Sequence, residues 1–233
     1  SAHVGNAQFY AAESNYLLKN YDKAIEAFQR FLQNFPSSEF AAASWMHLAT
    51  SQFNKQDFEG SIVSYQSLLS NFSDGEFASA ALYNLALAQK KIQKLTEAAD
   101  SYLKYALNYP ADNYAKFAML EVAKIKIELK QPGEAIQVLK DLDVKLAVGD
   151  ELKPEVQYLI ADSWMANNDL EESMKVLKEL ASTAPQDSEW KMNALVKMAE
   201  VYDKQEKWAE SVEVYQDMLR LTRDPQVSAS IKE

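Results

Sequence analysis

The chain has 233 residues, of which 48% are hydrophobic, with 34 acidic against 24 basic side chains and no cysteine. The net charge of −10 disfavours nucleic acid and anionic membrane surfaces as partners, because both attract clustered lysine and arginine. The missing cysteine excludes disulfides and cysteine-ligated metals. No apolar run approaches the roughly 18 residues of a transmembrane helix, so we expect no direct membrane insertion.

Small residues recur along the chain with a regular period. Six alanines follow one another at separations of 37, 37, 37, 38 and 38 residues: Ala12, Ala49, Ala86, Ala123, Ala161 and Ala199. A second series keeps the same steps and is always alanine or serine: Ala24, Ser61, Ala98, Ala135, Ser173 and Ser211. Because a small side chain lets a second helix approach closely, we predict that both series lie at helix contacts. The period is typical of a solenoid of stacked repeats.

The period predicts six helix pairs in one solenoid over residues 7–223. The units cover about residues 7–37, 38–74, 75–111, 112–148, 149–186 and 187–223. Residues 1–6 are assigned to an N-terminal tail, and residues 224–233 to a short capping segment. The chain begins at Ser1 without an initiator methionine, which indicates a trimmed sequence, so the absence of a targeting segment here says little about the native protein.

The turns and connections between these helices have their own pattern. Tyr21, Phe58 and Trp208 are each predicted in the turn just ahead of a second helix, where an aromatic ring can pin the turn to the core. Pro132 and Gly133 are predicted to form the corresponding turn of the fourth unit. Residues 141–154 break the period and predict a longer or bent connection. One interpretation of that break is a hinge between two three-repeat halves.

The residues around the two series indicate which solenoid this is. Trp45, Leu48 and Ala49 read W-x2-L-small, and a small residue is followed four positions later by a large apolar one, as in Ala24 and Phe28. Three units are closed by prolines: Pro36, Pro110 and Pro185. This pattern resembles the tetratricopeptide repeat. The resemblance implies an all-α fold, a right-handed α-solenoid superhelix of about six helix pairs, acting as a protein–protein interaction scaffold.

Two connections are similar to those of a bacterial subset of these proteins. The segments 34–40 and 108–114 read Asn-aromatic-Pro and end on an aromatic residue. They resemble periplasmic and outer-membrane-associated repeat proteins, of the Tol-Pal cell-division coordinator type and the outer-membrane assembly lipoprotein type. This resemblance implies an adaptor in a bacterial cell-envelope complex, located in the periplasm or at the envelope. A cytoplasmic or secretion-associated adaptor is an alternative, because similar segments occur there too.

Binding of a protein or peptide partner is expected on the concave wall formed by the first helix of each pair. Helical spacing selects these candidates: Glu13, Tyr16, Phe53, Lys90, Lys124, Asp162, Glu200 and Asp203. Tyr16 and Phe53 are predicted as exposed contacts. Four other apolar residues of these helices are interpreted as packing residues: Phe9, Met46, Tyr83 and Tyr158. The first half of the wall is apolar and the second half acidic, which predicts an amphipathic partner with one apolar and one basic end.

The sequence offers no candidate for catalysis, a cofactor or a metal. His3 lies in the predicted tail, and His47 stands alone on its helix, where we interpret it as a packing or surface residue. No glycine-rich phosphate loop is present. We therefore predict a non-enzymatic protein. At the C-terminal end, Val212, Tyr215 and Leu219 predict an apolar edge, so a self-assembling module whose terminal helices form homo-oligomers is a further alternative.

Overall fold

The computed structural model describes residues 2–185 and 188–221, which form twelve α-helices and no strands. The helices are α1 (Ala2–Leu17), α2 (Tyr21–Asn34), α3 (Ala41–Asn54), α4 (Phe58–Asn71), α5 (Ala78–Lys91), α6 (Leu95–Asn108), α7 (Ala115–Glu128), α8 (Pro132–Lys145), α9 (Lys153–Ala166), α10 (Leu170–Thr183), α11 (Glu189–Lys204) and α12 (Trp208–Leu221). They form six consecutive pairs, which confirms the predicted all-α repeat fold. None of the described helices combines the length and apolar character that a membrane span requires.

The chain divides into two compact units, Ser1–Val122 and Ala123–Glu233. Their boundary falls within α7, which is one continuous helix. The segment 141–154, where the sequence suggests a hinge, lies inside the second unit. The connection within that segment, residues 146–152, is one residue longer than the connection 35–40 between α2 and α3, so the prediction of a longer connection is confirmed.

Both series of small residues lie at the helix contacts. The six alanines of the first series are at most 1% exposed, and the alanines and serines of the second series are at most 2% exposed. The large residues four positions beyond the second series are also buried in the first five repeats, as Phe28 and Tyr65 show. The predicted helix contacts are therefore confirmed, and we call the two series together the packing seam. The helices pack closely there because a methyl or hydroxymethyl side chain leaves room for the neighbouring helix.

Each turn between paired helices contains one residue in the left-handed backbone region. These residues have φ between 57° and 64°, and none is a glycine: Lys19, Gln56, Gln93, Lys130, Asn168 and Glu206. The next residue donates its backbone N–H to the carbonyl five residues back, as from Lys94 to Gln89 at 3.0 Å. This is the Schellman arrangement, which satisfies carbonyls at the end of the first helix.

The second helices begin earlier than the sequence predicts. Tyr21, Phe58 and Trp208 are each the first residue of a second helix, so the prediction that they lie in the turn is wrong. Pro132 and Gly133 likewise open α8. Proline is favoured at the first helical position because its missing N–H would have no partner there.

The N-terminal residues form part of the first repeat. α1 begins at Ala2, so residues 2–6, assigned to a tail by the sequence, are helical. Gly5 is buried, and a Cβ at this position would lie 3.4 Å from the ring of Phe35 at the end of α2. This packing explains why the helix extends beyond the predicted boundary. The predicted capping segment 224–233 lies outside the described residues.

Candidate partner-binding face

In the first unit, α1 and α3 are joined by the side chains of the predicted face. Tyr16 packs against His47 with 4.5 Å between ring centroids, and His47 Nε2 lies 3.9 Å from Glu13 Oε1. Burial lowers the pKa of His47, although the charge of Glu13 opposes the shift. His47 also contacts the ring of Phe28, at 5.6 Å. The interpretation of His47 as a packing residue is confirmed, and Tyr16 is half-buried rather than freely exposed.

The next junction, between α3 and α5, is uncharged. Thr50 and Asn84 occupy the positions that Glu13 and His47 occupy one repeat earlier. The hydroxyl of Tyr65 bridges them, lying 3.3 Å from Thr50 Oγ1 and hydrogen-bonding to Asn84. Burial raises the pKa of Tyr65, which keeps this hydroxyl neutral. A polar bridge without ions therefore replaces the charged contact at this junction.

Phe53 lies on the same part of α3. It is half-buried and meets Phe58, at the start of α4, edge to face with 5.1 Å between the ring centroids. The exposed Asn54 follows it in the last turn of α3. Together, Thr50, Phe53, Asn54 and Asn84 form a neutral patch of amide, hydroxyl and aromatic groups, which we call the neutral patch.

Further contacts of the first helices in this unit involve Lys90, Tyr83 and Phe9. Lys90 of α5 forms an ion pair with Glu121 of α7. Tyr83 lies among the rings of Tyr102, Tyr105 and Tyr114, at centroid distances of 5.3, 5.3 and 5.6 Å. The interpretation of Tyr83 as a packing residue is therefore confirmed, as it is for Phe9, which is 3% exposed and stacks on Phe40 at 4.4 Å.

In the second unit, ion pairs connect α7 to α9 and α9 to α11. Lys124 Nζ lies 2.7 Å from Glu155, and Lys197 Nζ lies 2.9 Å from Asp162 and 3.0 Å from Glu200. Burial alone would lower the pKa of Lys197, but its hydrogen bonds to the two carboxylates raise it. The acidic half of the predicted wall is thus partly neutralised. The predicted basic end of a partner would compete with Lys197 for Asp162 and Glu200.

Two further features of the second unit involve predicted residues. Asp203 Oδ2 accepts a hydrogen bond from the Tyr215 hydroxyl at 3.5 Å, within the sixth pair. Asp162 borders a cavity of about 320 Å³ at the ends of α7 and α9, which is lined by Ile127, Lys130, Asp162, Ser163 and others. This cavity could admit a single side chain of a bound segment.

The partners of the predicted charges are not among the residues that the sequence predicts. Glu121, Glu155 and Lys197 each form an ion pair with a predicted residue of a neighbouring first helix. A comparison of equivalent positions could have suggested Lys197, which occupies in the sixth repeat the position that His47 occupies in the second. Within the described residues, no group of three or more histidine, aspartate or glutamate side chains is suited to a metal ion.

A second surface lies on the opposite side of the first unit, between α2 and α4. This groove of about 480 Å³ is lined by residues that include Leu32, Trp45, Gln52 and Val63. At its floor, Ser64 donates a 2.6 Å hydrogen bond to Gln52. A similar groove of about 500 Å³ in the second unit lies between α10 and α12 and includes Met174 and Tyr202. Neither groove is predicted by the sequence.

Sequence comparison supports the repeat assignment. Family models described as tetratricopeptide repeat match residues 6–38, 41–115 and 194–227, which together make up more than half of the chain. Comparison with curated proteins gave no match.

Three solved structures with similar folds are distant in sequence. YrrB, described as a tetratricopeptide-repeat protein with an unusual peptide-binding site, is 18% identical with a TM-score of 0.60, over 90% of this chain and 99% of YrrB. The C-terminal part of a repeat protein from Cytophaga hutchinsonii is 13% identical with a TM-score of 0.64, over 91% and 78%. MamA from Desulfovibrio magneticus is 12% identical with a TM-score of 0.57, over 77% and 94%. These likenesses concern the fold, and with the family matches they show that the chain is built of tetratricopeptide repeats.

Proposed function

We propose that the chain is a non-enzymatic scaffold that binds a segment of a protein partner on the face formed by its first helices. The neutral patch of the first unit is the observation that carries this proposal. Thr50 and Asn84 are held in place by the buried Tyr65 hydroxyl, so their polar groups are ordered before a partner arrives. A site ordered in advance loses less entropy on binding.

The chemistry of the neutral patch favours an uncharged, partly apolar segment. Asn54 and Asn84 carry amide groups that can donate to and accept from a peptide backbone, and Phe53 offers part of an aromatic ring. Lys90 is already paired with Glu121 and Asp162 with Lys197, so a charged partner would compete with existing ion pairs. The peptide-binding site described for YrrB supports the proposal only through the common fold.

Affinity capture with purified variants, whose helicity is verified by circular dichroism, would test the site. The Tyr16→Glu, Phe53→Glu double variant places charge on the first-helix face and should lose the partner. Val63→Glu is the matched control, because Val63 is 61% exposed in the groove between α2 and α4 and lies away from the neutral patch. Loss of capture by Val63→Glu alone would move the binding site to that groove, whereas equal capture by all three proteins would refute both sites.

We further propose that the partner belongs to a bacterial cell-envelope complex. The support is the resemblance of segments 34–40 and 108–114 to envelope-associated repeat proteins. Capture from separated envelope and cytosolic fractions of the source organism tests it. A partner found in the envelope fraction supports the assignment. A partner found only in cytosol would overturn it and favour the cytoplasmic or secretion-associated adaptor.

A further inference from the structure

The last described helix, α12, exposes residues at positions that are buried in earlier repeats. Val212 is 52% exposed, whereas the equivalent residues of the four preceding repeats are at most 8% exposed: Ile62, Ala99, Ile136 and Met174. Tyr215 is half-buried, although Phe28, Tyr65, Tyr102, Leu139 and Leu177 are at most 1% exposed. Together with Leu219, these residues form what we call the α12 edge.

The first helix, α1, likewise exposes positions that are buried in later repeats. Ala7 and Ala11 are exposed, whereas the residues equivalent to Ala11 are buried in all five later repeats: Leu48, Leu85, Val122, Ile160 and Met198. Val4 and Tyr10 are 50% and 53% exposed, and Leu18 is 71% exposed. We call the surface formed by Val4, Ala7, Tyr10, Ala11, Ser14 and Leu18 the α1 outer face. None of these six side chains is charged, which is unusual for an exposed helix face of a soluble domain.

The two surfaces match the two sides of one internal junction residue by residue. Within the first unit α4 packs on α5. Ile62, Tyr65 and Leu69 of α4 correspond to Val212, Tyr215 and Leu219 of the α12 edge. Ala78, Ala81, Leu85 and Ala88 of α5 correspond to Val4, Ala7, Ala11 and Ser14 of the α1 outer face. Large residues therefore stand on α12 and mostly small ones on α1, as they do on α4 and α5.

We propose that the α12 edge of one copy of this chain docks on the α1 outer face of a second copy, head to tail. The occupant is a second copy because the complementary half of the junction lies on the same chain. The contact repeats the packing of α4 on α5 and joins unlike surfaces, so each copy can dock one copy at its α12 edge and another at its α1 outer face. Each copy carries a net charge of −10, so added salt should strengthen the association by screening repulsion.

Sedimentation velocity of the full chain and of two variants tests this geometry. Ala11→Glu charges the α1 outer face, and Val212→Glu charges the α12 edge. Both residues are exposed on helices, so glutamate is compatible with folding at either place. Gln66→Glu, at an exposed position of α4, is the control for added charge. Wild type and the control should gain mass with concentration, while each end variant alone should remain monomeric.

The mixture of the two end variants gives the discriminating result. Ala11→Glu retains its α12 edge and Val212→Glu retains its α1 outer face. An equimolar mixture should therefore form dimers of one copy of each variant and no larger species. A monomeric wild type at high micromolar concentration and high salt would overturn the proposal. So would a dimer formed by either variant alone, because that requires like surfaces to pair. The two end variants leave Tyr16 and Phe53 intact. Failure of self-association can therefore be distinguished from failure of partner binding on the first-helix face.

Discussion

Replacing Gln93 by glycine should stabilise the protein. Gln93 is an exposed turn residue between α5 and α6, with a φ of 61°. A left-handed conformation costs an L-residue about 1 to 2 kcal/mol, and glycine does not incur this cost. Glycine also gives the unfolded chain more freedom, which subtracts about 0.4 to 1 kcal/mol. The balance is a gain of about 0.5 to 1 kcal/mol in the free energy of unfolding.

Thermal unfolding followed by circular dichroism measures this gain. For a chain of this size, 1 kcal/mol shifts the Tm by about 2 to 4 °C, so we expect Gln93→Gly to raise the Tm by about 1 to 4 °C. Gln66→Gly is the matched control, because it makes the same replacement at an exposed position in the middle of α4. There, glycine should cost about 0.5 to 1 kcal/mol and lower the Tm. Both residues belong to the unit Ser1–Val122, so they report on the same packed structure.

The test is whether the Tm changes in opposite directions in Gln93→Gly and Gln66→Gly. If Gln93→Gly lowers the Tm as much as Gln66→Gly does, the left-handed turn is not a source of strain and the reasoning fails. Asn168→Gly extends the test to the second unit, where φ is 61° at the equivalent position. Because asparagine tolerates this conformation better than glutamine does, its replacement should give a smaller gain.

Three further predictions concern the packing seam and the charged contacts. Ala86 is fully buried, so Ala86→Leu should overpack the seam and cost about 1 to 3 kcal/mol in urea unfolding, whereas Lys91→Leu at an exposed site should change little. Burial lowers the pKa of His47 below its usual 6.5, so the unfolded state binds its proton more readily and stability is lost as the pH falls below about 6.5. His47→Gln should reduce the loss of Tm between neutral and mildly acidic pH, and an unchanged profile would contradict this assignment. Lys197→Met leaves Asp162 and Glu200 without their shared cation and should cost about 1 kcal/mol at neutral pH, measured by urea unfolding. The cost should shrink at a pH where the carboxylates are protonated, and a pH-independent cost would point to lost packing instead.

The packing seam could be predicted because its requirement is local and repeated. Ala49 and Ala86 are small for the same steric reason, and the constant spacing shows that the same contact recurs in each repeat. Phe9 and Tyr83 were predicted as packing residues on the same basis, from their position on the helix face. The sequence predicts the starts of the second helices too late, because helix-capping patterns fix a boundary only to within a residue or two.

The candidate face was only partly predictable. The sequence placed Glu13, Lys90 and Asp162 on the first helices, but it did not show that each meets a side chain of a neighbouring repeat. Such contacts form between residues about 30 to 35 positions apart along the chain. The position on the helix that makes the contact shifts by about one helical turn between junctions. Lys90 pairs with Glu121, whereas Thr50 reaches Asn84 through the Tyr65 hydroxyl.

The number of repeats, the class of fold and the buried small residues follow from the sequence alone, because periodic spacing along the chain indicates directly which positions share a helix face. Which charges of the first-helix face are paired, and where that face remains neutral, depends on the tertiary structure. The tertiary structure also decides which end residues stay exposed although their counterparts in other repeats are buried, as Ala11 and Val212 do. These properties depend on what a side chain meets across a helix junction, and the periodic pattern is the same whether or not a neighbouring helix is present.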